Sequence, residues 1–253
     1  MLSKLKKKID NKKAIVGIIG LGYVGLPIFL RILNSGYHVI GFDKNKTVIN
    51  KLRKKQKIID HIKLDVLNRK QNFSFEYDLS KISKCDIIII CLPTPINKQK
   101  KPDLTAIFET NKKIRKYLRK GQLYILESTI YTGLFRKIVS EFCVKLKLKI
   151  GNDFFGGYSP EREDPGNVKF TIKNIPKLCS GLTPNCKVLV EKFYKIIVKK
   201  VYTVKSVEIA ETAKLFENTY RSVNIALVNE FKLLCENLNL NVHNVLNAAA
   251  TKP

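Results

Sequence analysis

The sequence predicts an α/β fold: a Rossmann-like doubly wound parallel sheet, followed by a long helix of a partial all-α middle domain. Three observations predict it. From Ala14 onward, short β-type runs alternate with helical segments. The first strand-to-helix junction reads Gly20-Leu21-Gly22-Tyr23-Val24-Gly25. From Val207 to Leu240 there is neither proline nor glycine, and apolar residues recur at helical spacing.

Residues 1–13 form a Lys-rich lead-in without a core pattern, read as a frayed basic tail. Ala14–Ile19 is then a strand, Val24–Asn34 a helix, His38–Phe42 a strand and Thr47–Lys55 a helix. The run Asp86–Leu92 is continuously apolar after its first residue and β-branched, which suits a central strand covered on both faces. A helix over Leu104–Leu118, a strand over Leu123–Leu126, and helices over Leu134–Leu148 and Pro184–Ile197 complete the pattern. Ser206, with Glu208 and Glu211 in or near the first turns of the long helix, marks its start, because the helix dipole favours carboxylates there. The expected domains are therefore 14–205 for the sheet and 206–253 for the start of the helical domain.

Composition narrows the function classes. Hydrophobic residues make up 45% and charged residues 27% of 253, enough to bury a core. Against 21 Asp and Glu stand 47 Lys and Arg, a net charge of +26. A nucleic-acid binder clusters such charge and interleaves aromatics, whereas here the lysines are scattered through every segment, so no specific nucleic acid is expected. The positive field still favours anionic ligands. Six cysteines show neither a C-x-x-C pair nor histidine at zinc spacing, which argues for free thiols, no metal and a cytoplasmic location. Ala14–Leu30 is uncharged but broken by four glycines and Pro27, so a membrane span is not expected.

A G-x-G-x-x-G turn between a strand and a helix is the dinucleotide fingerprint. Gly20 permits the tight turn, Gly22 lets backbone approach a pyrophosphate on the helix N-terminus, and Gly25 allows close helix–strand packing; Tyr23 and Val24 belong to the same cofactor turn. Asp43, closing the second strand, is placed to accept from the ribose hydroxyls, and an acid there selects NAD by repelling a 2′-phosphate.

With GLGYVGLP at 20–27, the chain resembles the UDP-glucose/GDP-mannose dehydrogenase family. The likeness continues in order through CLPTP (91–95) and PDL (102–104), ESTIYTG (127–133), YSPEREDPG (158–166) and ETAKLFENTYRSVNIALVNE (211–230). The wording of the last two segments is nearest to members that oxidise UDP-N-acetylhexosamines. The resemblance implies NAD-dependent oxidation of the C6 hydroxyl of a UDP-sugar to the uronic acid, for surface polysaccharide, with UDP-glucose as the alternative sugar and a non-catalytic NAD-binding remnant as the alternative class.

The resemblance also implies site residues. Thr94 and Thr129, read as strand ends, would touch the nicotinamide side, with Thr129 also holding a water; capping hydroxyls are the plainer reading. Glu161 would act as a base or water-activating group, or be an ordinary loop glutamate. Arg162 would hold a substrate phosphate or pair with Glu161. Lys214 and Asn218, four apart on the long helix, would stabilise oxyanionic charge and orient the sugar or a water; alone, such a pair is usually solvent-facing. Arg221, one turn further, would contact substrate. The long helix is expected to form a homodimer core.

The chain departs from the family in several places. The family's nucleophilic cysteine lies beyond the long helix in a Gly-rich segment, and none of the six cysteines here has such surroundings. Its Asp partner and the C-terminal sugar-nucleotide domain are also missing, so the chain reads as truncated, binding NAD with little turnover. Thr132 stands where the family usually has Pro, and Val48 where a basic residue often grips the cofactor.

Overall fold

The computed structural model describes residues 1–162 and 175–252. Glu163, Asp164, Pro165 and Gly166 of the YSPEREDPG segment lie outside the described residues. The chain forms two compact units, Met1–Thr212 and Ala213–Pro253.

The first unit is a doubly wound α/β domain. Its described strands are β1 (Ile15–Ile19), β2 (His38–Phe42), β3 (Phe73–Glu76), β4 (Ile87–Ile90), β5 (Leu123–Leu126), β6 (Phe155–Tyr158), β7 (Lys177–Gly181) and β8 (Val201–Thr203). They lie in the order β3-β2-β1-β4-β5-β6-β7-β8. Pairing is parallel from β3 to β6, antiparallel between β6 and β7, and parallel again between β7 and β8. The four isoleucines of β4 are all fully buried, because helices cover both faces of the sheet at its centre.

Helices α1 (Leu2–Asp10), α2 (Gly25–Asn34), α3 (Lys46–Arg53), α4 (Asp65–Arg69), α5 (Thr105–Ile114), α6 (Leu134–Leu146) and α7 (Pro184–Ile197) complete the unit. Asn45 caps α3 by accepting from the Thr47 and Val48 amides, and Thr183 caps α7 ahead of Pro184. The uncharged stretch Ala14–Leu30 is thus divided among β1, the glycine turn and α2, and among the described residues no helix is long and apolar enough to cross a membrane.

The start of the chain differs from the expected frayed tail. Leu2–Asp10 is a helix whose Leu5 and Ile9 enter the main core, four residues apart and hidden in a lysine-rich sequence by the charges between them. Lys8 Nζ reaches both carboxylate oxygens of buried Asp86, at 2.8 and 2.9 Å, and Asp86 also accepts from the Ile15 amide and Arg119. This helix therefore docks on the amino-terminal end of the central strands.

α8 (Val207–Asn237) begins in the first unit and continues in the second, where α9 (Val242–Ala249) follows, capped by the Asn241 side chain. Within Ala213–Pro253, Phe216, Tyr220, Val223, Leu227 and Leu234 are exposed.

Replacing Ile9 with Ala should destabilise the protein by about 2–5 kcal/mol, the usual cost of emptying a buried aliphatic site. Lys4→Ala, on the exposed side of α1, should stay within roughly 0.5 kcal/mol of wild type. Urea unfolding of the two variants checks the docking; equal midpoints would mean that α1 contributes nothing to the core.

Candidate functional site

The winding of the sheet reverses at β1 and β4, and in such sheets ligands sit outside the carboxyl ends of the strands at that point. The glycine turn leaves β1 there. Gly20 has φ +92°, a conformation that disfavours side chains, and its amide donates to Phe42 O at 2.8 Å. A Cβ on Gly25 would lie 1.7 Å from the Gly20 carbonyl oxygen, so the first turn of α2 presses directly on the end of β1. Around Gly22, by contrast, an added Cβ meets nothing within 4 Å. No side chain caps the N-terminus of α2; its Leu26 amide donates to Gly22 O at 3.1 Å and Pro27 has no amide hydrogen, so the amides of Tyr23, Val24 and Gly25 are the ones suited to a diphosphate here. Tyr23 is exposed and stacks on His61, with ring centroids 5.9 Å apart, while Val24 accepts from the Ile28 amide.

Asp43 follows β2 and is anchored twice: Oδ2 accepts from the Leu21 amide at 3.0 Å, and Oδ1 from the Asn45 amide at 2.9 Å. Each carboxylate oxygen retains a lone pair for a ribose hydroxyl. The acid and the glycine turn are therefore locked together. Val48 packs partly buried against the core, a position from which an aliphatic side chain grips nothing charged.

Thr94 and Thr129 do not end strands as expected. β4 stops at Ile90 and β5 at Leu126, so both threonines lie in the loops beyond, half-buried. Those loops are tied together, since the Leu92 amide donates to Ser128 Oγ at 2.9 Å.

Next to them is a buried charged cluster. Glu127, at the end of β5, accepts hydrogen bonds from Lys177 Nζ and from the Tyr194 hydroxyl. Burial pushes the Glu127 carboxyl up to about 7, with Lys177 opposing and Glu161 adding to the rise. Burial works against the Lys177 charge, yet Glu127 and Glu161 hold its pKa above the usual lysine value. Tyr194 and Cys91 are both pushed well above their ordinary values, chiefly by burial and then by Glu127. Glu161 Oε2 lies 3.5 Å from Lys177 Nζ, and its Oε1 accepts from the Arg162 amide at 2.7 Å. The Arg162 guanidinium donates to Pro176 O at 3.1 Å. Sequence reasoning missed Lys177 and Tyr194. Their signal was a lysine opening the β-type run KLCSG and a tyrosine on the apolar side of a helix, both weak without the sheet.

Glu211, expected to complement the dipole of its own helix, instead serves another. Its carboxylate accepts from the Gly133 amide at 2.7 Å and the Phe135 amide at 3.0 Å, capping α6, and burial raises its pKa. Thr132 Oγ1 lies 2.9 Å from Thr212 Oγ1, a contact that the family's usual proline could not make. Lys214, Asn218 and Arg221 belong to the second unit, successive turns apart on one side of α8, with Arg221 exposed. Among the described residues no cluster of His, Cys, Asp and Glu is arranged to hold a metal ion.

A doubly wound sheet with an open glycine turn at its reversal point and an anchored acid beyond β2 defines a dinucleotide-binding protein. Residues 14–198 match the NAD binding domain, and residues 208–253 the central domain, of the UDP-glucose/GDP-mannose dehydrogenase family. The chain belongs to that family and carries its NAD binding domain. It is 38% identical over 245 residues to the UDP-N-acetyl-D-glucosamine 6-dehydrogenase of Pseudomonas aeruginosa, covering 94% of this chain and 56% of that protein. Among solved structures, a UDP-D-ManNAc dehydrogenase from Pyrococcus horikoshii superposes with a TM-score of 0.86 at 31% identity, over 94% of this chain and 58% of that one. The UDP-N-acetyl-mannosamine dehydrogenase Cap5O from Staphylococcus aureus gives 0.83, also at 31% identity, over 95% and 59%. The chain thus spans a little over half the length of these relatives.

Two outcomes follow from this geometry. Gly22→Ala should fold normally yet bind NAD more weakly, whereas Gly25→Ala should lose about 3 kcal/mol or more of stability because backbone blocks its Cβ; thermal unfolding with calorimetric NAD titration separates the two. Because the folded Glu127 carboxyl is raised above its unfolded value, its contribution is complete at acid pH and is lost as pH rises through about 7. The stability of wild type relative to Glu127→Gln should therefore fall as the pH rises from about 5 to about 8, measurable by urea unfolding at each pH.

Proposed function

We propose that this chain provides the cofactor half, and part of the catalytic set, of an NAD-dependent 6-dehydrogenase acting on a UDP-sugar, with a UDP-N-acetylhexosamine as the favoured substrate and the uronic acid as product for surface polysaccharide. The observation that supports it most is the open side of Gly22 facing the uncapped start of α2, with Asp43 held beside it by the Leu21 amide. NAD fits there: the amides of Tyr23, Val24 and Gly25 would take its diphosphate and Asp43 its ribose, and bound NAD supplies the hydride acceptor. The names of the relatives support the choice of sugar.

In this reading residues 14–205 are the cofactor domain and 206–253 begin the central one. Glu161 removes the C6 hydroxyl proton or activates water, and Thr129 holds that water. Lys214 stabilises the oxyanion as charge develops, and Asn218 orients the sugar. Thr94 borders the nicotinamide, while Arg162 and Arg221 contact substrate. The exposed apolar residues of α8 support a homodimer, and the free cysteines support a reducing, cytoplasmic setting. Since none of the six cysteines has the Gly-rich surroundings of the family's nucleophile, the polypeptide 1–253 is proposed to bind NAD without forming uronate.

Calorimetry of 1–253 tests the reading. NAD should bind, NADP should bind more weakly, and Asp43→Ala should weaken NAD on the order of tenfold to a hundredfold, the worth of a hydrogen bond to a charged group. Absence of heat with folded protein overturns the cofactor assignment, and uronate production by 1–253 overturns the proposed lack of turnover.

A further inference from the structure

We propose that Lys177 is the positioning residue for Glu161: its buried ammonium, shared with Glu127, holds the Glu161 carboxylate charged and in place at the head of its loop. The inference rests on the catalytic reading of Glu161 given above, and its geometry stands apart from that reading.

Lys177 opens β7, the strand that runs against β6, and so points its side chain back at the residues leaving β5 and β6. There Nζ meets carboxylates from two different segments. It donates to Glu127 Oε2 after β5 and lies 3.5 Å from Glu161 Oε2 after β6, with the Tyr194 ring centroid 5.4 Å away. The ammonium thus meets both acids at once, Glu127 through a hydrogen bond and Glu161 as an ion pair. The main chain repeats the link, because the Glu161 amide donates to Glu127 O at 3.3 Å. The neighbouring residues are matched too: Pro176 O accepts from Arg162 at 3.1 Å, so positions 176 and 177 grip positions 162 and 161.

Energetics make a purely structural purpose a poor explanation. A lysine 5% exposed and a glutamate 1% exposed lose hydration that their attraction restores only with good geometry. A well-packed apolar pair commonly does as well or better in such a place. What an apolar pair cannot do is act on a third charge. Glu161 is that charge, and it stands at the edge of the cluster, less deeply buried than either partner. The groups facing Lys177 are Glu127 from β5, Glu161 from the loop after β6, Tyr194 from α7 and Cys91 from the loop after β4, and burial keeps the thiol and the phenol neutral.

The test uses protein labelled with 13C at glutamate carboxyls, the Glu161 signal being assigned by its loss in Glu161→Gln. In Lys177→Met the Glu161 titration midpoint should move up by roughly one pH unit or more, the usual effect of removing an opposite charge at this distance, and Lys177→Arg should restore it. Because Lys177→Met leaves Glu127 without its cation, the titration is repeated in Lys177→Met with Glu127→Gln, which removes both buried charges. An unmoved midpoint in either background overturns the proposal, since a merely structural lysine would change stability and leave Glu161 as it was. Undiminished sugar oxidation in an active enzyme bearing Glu161→Gln would instead sink the catalytic reading and leave the Lys177–Glu161 coupling to be decided by the titration.

Discussion

The contact between the Gly20 carbonyl and Gly25 sets the arrangement of everything else in the first unit. With 1.7 Å between that oxygen and a would-be Cβ, α2 can start where it does only because residue 25 has no side chain. This close start sets the glycine turn at the reversal point of the sheet, and Asp43 reaches the same turn through Leu21. Strand order, turn and acid are thus one construction, held in place by their own contacts.

Charge is used inside this domain to join segments that are distant in sequence. Asp86 ties α1 to the start of β4, Glu127 ties β5 to β7 and α7, and Glu211 ties the first turn of α8 to the N-terminus of α6. Each carboxylate has its partners, as a buried charge must. Apart from the partly exposed Lys8, the scattered surface lysines that dominate the composition are not the partners in these three ties, which is why the net charge of +26 says much about the ligand field and little about the fold.

The α/β class was legible because β1, β2 and β4 are dense apolar runs that alternate with helical segments, and because the glycine turn has a strand before it and a helix after it. Other parts were hidden for physical reasons. β6 reads Phe-Gly-Gly-Tyr, where glycines erase the strand signal; β8 has three residues, too few for any period; and α1 hides two core positions among lysines. The glycine turn and Asp43 could be expected together because a motif concentrates the turn within a few residues and sets the spacing to the acid. The Glu127–Lys177–Tyr194 cluster could not, since its members come from three elements that only the pairing of β5, β6 and β7 brings within reach.

The docking of α1 has a practical side. Lys8 clasps Asp86 at the amino end of β4, whereas the glycine turn leaves the carboxyl end of β1, so the chain's first residues and the crevice occupy opposite poles of the sheet. A surface or dye coupled to the exposed side of α1 would therefore leave the glycine turn unobstructed, and a reporter attached there would sense the seating of α1.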